Sequence, residues 1–161
     1  MNSKFPDLKK KNIIITGGNG FLGMQLTNAF LSQGSNVFIL DIKTSKNRKN
    51  LKNFKVDITK EKDLSNLLNN FNRNQIKIDV LINNAACDHI PKKKQKNNFN
   101  LENYSSEAFN FELNVGLTGS FLCTKIFGSY MSKNNGGIIL NISSDLGIIA
   151  PNQEIYKPSN F

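Results

Sequence analysis

The chain has 161 residues, 39% of them hydrophobic, and a formal net charge of +9. That length suits one domain with a sizeable core and is short for two, and no stretch approaches the ~20 apolar residues of a membrane span. The basic residues are scattered in small groups. Only Lys92-Lys93-Lys94-Gln95-Lys96 is dense, and with Phe99 its sole neighbouring aromatic it reads as a solvated loop, not a nucleic-acid surface.

Met1-Asn2-Ser3-Lys4-Phe5-Pro6 carries no signal-peptide pattern, and Cys87 and Cys123 fall in no metal-ligand spacing. A buried reduced thiol at Cys123, which sits in an apolar helical run, no metal and a cytoplasmic location are expected. After a basic cluster at Lys9 to Lys11, Asn12-Ile13-Ile14-Ile15 is a short β-branched run, a strand. Thr16-Gly17-Gly18-Asn19-Gly20-Phe21-Leu22-Gly23 follows, and then a helix to about Gln33 with Leu22, Leu26, Ala29 and Phe30 on one face. Small residues at Gly17, Gly20 and Gly23 let the backbone approach a diphosphate, and the helix would point free N–H groups at it. Strand, glycine turn and helix together give the motif the context it needs.

Gly34 stops that helix. Asn36-Val37-Phe38-Ile39-Leu40-Asp41 has the composition of a buried parallel strand. Asp41 lies 18 residues after Gly23, near the ~20-residue offset at which a carboxylate reaches the adenosine ribose hydroxyls. It would repel a 2′-phosphate, so NAD is expected over NADP, with Lys43 nearby keeping NADP open. Residues 42–53 read as a loop or ragged helix. Phe54-Lys55-Val56-Asp57 is a third strand, and Thr59 is available to cap a helix with Leu64, Leu67, Leu68 and Phe71 at helical spacing. Asp79-Val80-Leu81-Ile82 is the fourth strand, running into Asn83-Asn84-Ala85-Ala86, where small residues leave room for a ring or ribose.

Residues 87–103 break the pattern, and His89, the lone histidine, reads as a loop residue without a paired acid. Ser105 can cap a helix carrying Phe109, Leu113, Leu117, Phe121, Leu122, Ile126, Phe127 and Met131, most of them expected in the core. Asn114 interrupts that apolar face, which suggests a specific hydrogen-bond role. A fifth strand at Ile138-Ile139-Leu140-Asn141-Ile142 ends in Ser143-Ser144-Asp145. Together these elements predict an α/β, doubly wound parallel sheet of Rossmann type with about five strands, incomplete, in a single domain over 1–161.

Four motifs in this order carry a family resemblance: Thr16 to Gly23, Asp57-Ile58-Thr59, Asn83-Asn84-Ala85-Ala86, and Asn141-Ile142-Ser143-Ser144 with Asn114 upstream. The chain resembles the short-chain dehydrogenase/reductase family over nearly its whole length. The resemblance implies an NAD(P)-dependent oxidoreductase moving hydride between the nicotinamide and a carbonyl or hydroxyl substrate. Gly17, Asn19, Gly20, Phe21, Leu22 and Gly23 would form the dinucleotide turn. Asp41 would bind the adenosine ribose, Asp57 and Ile58 would flank the adenine, and Asn84, Ala85 and Ala86 would line the cofactor ribose. Asn114 would hold a relay water and Ser144 would bond the substrate oxygen. A homo-oligomer is implied for a full-length form.

Two departures stand out. The glycine spacing, with Phe21 after Gly20, matches the extended branch of nucleotide-sugar epimerases and dehydratases, whereas the Asn83 and Asn114 segments match the non-extended branch. Tyr156 stands near the family's acid/base position, but Asn160 occupies the place of its lysine. A C-terminally truncated, inactive fragment of the non-extended type is therefore expected, with a non-catalytic dinucleotide-binding protein or a nucleotide-sugar epimerase/dehydratase of the extended branch as the alternatives.

Overall fold

In a computed structural model, residues 4–87, 102 and 104–149 are described. Ile13, Ile14 and Ile15 are wholly buried in β1 (Asn12–Thr16), because a central parallel strand is covered on both faces. α1 (Phe21–Ser32) leads to β2 (Asn36–Asp41), and α2 (Glu61–Arg73) follows β3 (Leu51–Lys55). β4 (Val80–Asn83) precedes a long helix over 106–133, and β5 (Ile138–Asn141) comes last. All neighbouring strands are parallel, in the order β3-β2-β1-β4-β5. This is the expected Rossmann-type sheet.

The long helix departs from α winding in two segments. It runs as α3 (Ser106–Leu113), a π segment (Asn114–Gly119), α4 (Ser120–Cys123), a second π segment (Thr124–Gly128) and α5 (Ser129–Lys133). Ser105 caps its start as expected, its Oγ accepting from Ala108 N at 3.1 Å. On this side of the sheet Phe71 is the hub. Its ring centroid lies 5.1 Å from Phe38, 5.6 Å from Phe54 and 6.4 Å from Phe127. On the other side α1 supplies Leu26, Phe30 and Leu31 against Ile13, Ile15, Val37, Ile39, Leu51 and Ile82.

Several expectations are corrected. Phe109, Leu113, Leu117 and Phe121 are exposed, and so is Asn114. The helix reaches the core at its margin through Val115, and its later part, through Leu122, Cys123, Ile126, Phe127 and Met131, supplies the buried side chains. Periodicity reveals an apolar face, not whether anything covers it. Leu22 and Ala29 of α1 are exposed as well; Gly23 and Thr27 are the buried residues of the helix, Gly23 because a Cβ there would meet the Gly17 carbonyl oxygen. β3 begins at Leu51, three residues before the expected Phe54, since Leu51 is the side chain that enters the core. Of the two readings of the segment between β2 and β3, the loop is the one observed. Thr59 does not cap α2; its hydroxyl donates to Asp57 Oδ1 at 2.6 Å, and Lys60 takes the cap position.

At the far edge of the sheet, Asp79 ties β1 to β4. It accepts from Asn12 N at 3.0 Å and pairs with Lys11 at 3.3 Å and Lys77 at 3.4 Å. Among the described residues no helix is long and apolar enough to cross a membrane.

Candidate functional site: the glycine turn and the sheet edge beside it

β1 ends on a wholly buried threonine. Thr16 Oγ1 accepts from the backbone N–H groups of both Asn84 and Ala85, each at 3.0 Å. The Asn84 side-chain amide donates back to Thr16 O at 2.9 Å. The first turn after β1 is thus bolted to the segment after β4. Gly17 has φ +63°, and a Cβ there would stand 2.9 Å from Ala85 Cα. A Cβ on Gly23 would collide with the Gly17 carbonyl oxygen. These two positions accept glycine alone.

α1 opens directly from that turn. Its N-cap is Gly20, with no side-chain cap and no acid in the first turn. The N–H groups of Phe21, Leu22 and Gly23 therefore lack a capping side chain, and they carry the positive end of the helix dipole. Phe21 is 89% exposed at this mouth. An anion with several oxygens suits such a place.

Asp41 ends β2 and turns toward the glycines. Its Oδ2 accepts from Asn19 N and its Oδ1 from Lys43 N, both at 3.0 Å. Asn19 Nδ2 donates to Lys43 O at 2.7 Å, which closes the corner. Each carboxylate oxygen keeps a lone pair for a further donor.

Asp57 is engaged locally. It accepts from Thr59 N at 3.0 Å as well as from the Thr59 hydroxyl, and Lys60 Nζ lies 3.4 Å away. The Thr59 hydroxyl bond, outweighing burial, holds its carboxyl below the usual range. Ile58 is buried with its side chain beneath Gly119, where a Cβ would stand 2.6 Å from Ile58 Cδ1. The Ile58 side chain therefore belongs to the core and is not free to flank a ring, contrary to the expected role.

Residues 11–159 match the family model described as short chain dehydrogenase. The chain belongs to the short-chain dehydrogenase family. A short chain dehydrogenase/reductase of Gibberella zeae, dpfgG, is 31% identical over 156 residues, covering 89% of this chain and 55% of the relative. The short-chain dehydrogenase of Leptospira borgpetersenii with bound NAD+ superposes with a TM-score of 0.84 at 27% identity, covering 95% of this chain and 59% of that one. ElxO with NADP bound gives 0.76 at 27% identity, covering 94% and 62%. The chain spans about half the length of the curated relatives it matches, between 47% and 56% of the first three.

Of the remaining family positions, Asn83 closes β4, Ala86 and Ser144 follow the ends of β4 and β5, and Asn114 lies on the long helix. Asn83, 2% exposed, donates through Nδ2 to Asn141 Oδ1 at 2.8 Å and Thr124 Oγ1 at 3.0 Å, joining β4, β5 and the long helix. Ile142 N donates to Asn83 O at 2.9 Å, so the strand end that leads to Ser144 is registered on the one that leads to Asn84. Ser144 is exposed; its Oγ donates to Asp145 Oδ1 and accepts from Leu146 N, both at 3.2 Å. Ala86 is exposed just beyond β4, after the half-buried Asn84 and Ala85. Asn114 opens the first π segment, and no side-chain bond ties it to these groups among the described residues. His89, Lys92 to Lys96, Tyr156 and Asn160 lie outside the described residues. Thr16 and Asn83 are positioning residues that the sequence reading did not single out as site residues. The available signal was a polar residue closing each of two apolar strands.

Proposed function

We propose that this chain is the nicotinamide-dinucleotide-binding domain, over 1–161, of a short-chain oxidoreductase that uses NAD in preference to NADP. The observation that carries the reading is the Asp41 carboxylate held against Asn19 N at the turn where Gly17 and Gly23 admit no side chain. The chain's own groups fit the cofactor. Gly17 to Gly23 and the uncapped start of α1 would receive the diphosphate. Asp41 would accept from the adenosine ribose hydroxyls, and the Asn84-Ala85-Ala86 segment, held by Thr16, would line the other ribose.

Bound there, the nicotinamide would supply hydride exchange with a carbonyl or hydroxyl carbon. The protein would orient the substrate oxygen through Ser144 Oγ, whose O–H must first turn away from Asp145 Oδ1. Asn114 would hold a relay water where the helix changes winding. A tyrosine acid/base needs a neighbouring cation to work near neutrality. With Asn160 four residues after Tyr156, these residues alone bind the dinucleotide and turn over little. A small hydroxy or keto compound, a cytoplasmic setting, no nucleic-acid partner and self-association through the long helix complete the proposal.

Titration of the chain with NADH, followed by the cofactor's fluorescence, tests it. Saturable 1:1 binding that is lost in Gly17→Val is expected. The proposal fails if wild type does not bind, or if Gly17→Val binds equally well.

A further inference from the structure

The register of β2 and β3 places Lys55 directly across from Asp41. Residues facing each other in this way share a side of the sheet. Two residues earlier on the same side, Asn53 Oδ1 accepts from Ser45 Oγ at 3.0 Å, and that hydroxyl also lies 3.0 Å from Asn19 Oδ1. This face of β3 therefore borders the glycine turn. Lys43 follows Asp41 by two residues, and its backbone is already bonded to that carboxylate. Neither Lys43 nor Lys55 forms an ion pair among the described residues. Both are exposed, and together they outnumber the single carboxylate between them.

We propose that Lys55 is a cofactor-discriminating residue: its ammonium, cross-strand from Asp41 and helped by Lys43, seats a phosphate on the adenosine ribose 2′ position. The preference for NAD over NADP is therefore narrow. This inference rests on the dinucleotide reading above. When the ribose bears a 2′-hydroxyl, Asp41 accepts from it and the lysines are spectators. When the ribose bears a 2′-phosphate, the carboxylate repels it and the two ammonium groups offset that repulsion. Charge-assisted bonds of this kind discriminate by what they leave unpaired in the wrong ligand. The residue belongs to the edge strand, which no motif search of the turn would reach.

The test compares Kd for NADH and NADPH in the full chain at low salt, for wild type, Lys55→Gln and Lys52→Gln. Lys52 carries the same charge on the same strand but pairs with Phe38 on the opposite side of the sheet. Wild type is expected to bind NADPH within roughly tenfold of NADH, and Lys55→Gln to widen that ratio by about fivefold to tenfold with NADH unchanged. Lys52→Gln should leave the ratio as it was, and matching thermal melts should show that both variants fold. An unchanged ratio in Lys55→Gln overturns the inference while NADH binding stands, as does an equal shift in Lys52→Gln or a wild-type preference for NADH beyond a hundredfold. If neither nucleotide binds wild type, the dinucleotide reading falls first and this inference with it.

Discussion

Asn19 N donates to Asp41 Oδ2 at 3.0 Å, which ties the carboxylate at the end of β2 to the middle of the glycine turn. The acid thus faces the turn that α1 grows from, and its orientation is fixed by backbone groups before any ligand arrives. Such preorganisation lowers the entropy cost of binding. Replacing Asp41 by Ala should raise the Kd for NADH by roughly tenfold to a hundredfold, the equivalent of one or two bonds to a charged group. The melting temperature should move little, because the lost bonds lie at a half-exposed corner. Calorimetric titration beside thermal melting separates the two effects.

Gly23→Ala probes the turn itself. Its new Cβ would meet the Gly17 carbonyl oxygen and Gly18 Cα, both backbone atoms that cannot swing aside. The start of α1 must then shift away from β1. Overpacking of this kind costs about 1–3 kcal/mol, and NADH binding should weaken beyond detection. Urea unfolding reads the first effect and fluorescence titration the second. Wild-type stability with wild-type binding would show that the turn has more room than its geometry allows.

Asp79 gives a pH signature at the opposite sheet edge. Burial pushes its carboxyl up, but the Asn12 amide and the Lys11 and Lys77 ammonium groups outweigh that and hold it below the usual range. A folded-state pKa below the unfolded value of ~3.9 means the stabilisation is complete above that pH and is lost as pH falls through the folded value. The lysines are nearly half exposed, so screening discounts their share. Asp79→Asn should cost about 1–2 kcal/mol at neutral pH. Its loss of stability between pH 5 and 3, followed by denaturant midpoints, should be shallower than that of wild type.

The two thiols should differ sharply. Cys123 is wholly buried, and burial pushes its thiol up to about 12, so almost no thiolate forms at pH 8. Cys87 is half-buried at the β4 edge. A disulfide reagent should titrate one thiol in the native chain and two in denaturant. Reaction of both in the native chain at the same rate would place Cys123 outside the core.

Legibility in the sequence followed how local each signal was. Ile13 to Ile15 and Val37 to Leu40 announced buried parallel strands because both faces are covered, leaving no polar alternation to misread. The glycine turn and Asp41 were readable for the same reason, as their spacing along the chain reflects one continuous strand-turn-helix-strand unit. β3 was misplaced because a single anchor, Leu51, decides its start within a polar stretch. Thr16 and Asn83 escaped as site residues because their partners, Asn84 and Ala85 for one and Asn141 and Thr124 for the other, lie on separate elements. Their bonds exist only once the sheet is assembled.

The long helix offers the sharpest test of which apolar residues are core. Leu117 and Phe121 are 68% and 61% exposed, whereas Leu122, one residue on, is 7% exposed against the sheet. Leu122→Ala should cost about 2–5 kcal/mol through lost contacts and a cavity. Leu117→Gln and Phe121→Gln should fall within about 0.5 kcal/mol of wild type, since neither side chain loses a packed neighbour. The exposed pair, with Phe109 and Leu113 on the preceding turns, also makes a contiguous apolar stripe of the kind that drives association. Sedimentation should therefore show wild type self-associating with rising concentration, and the double Gln variant less so. If the Gln variants unfold as Leu122→Ala does, the stripe is packed within the chain, and the outward orientation of the early helix is wrong.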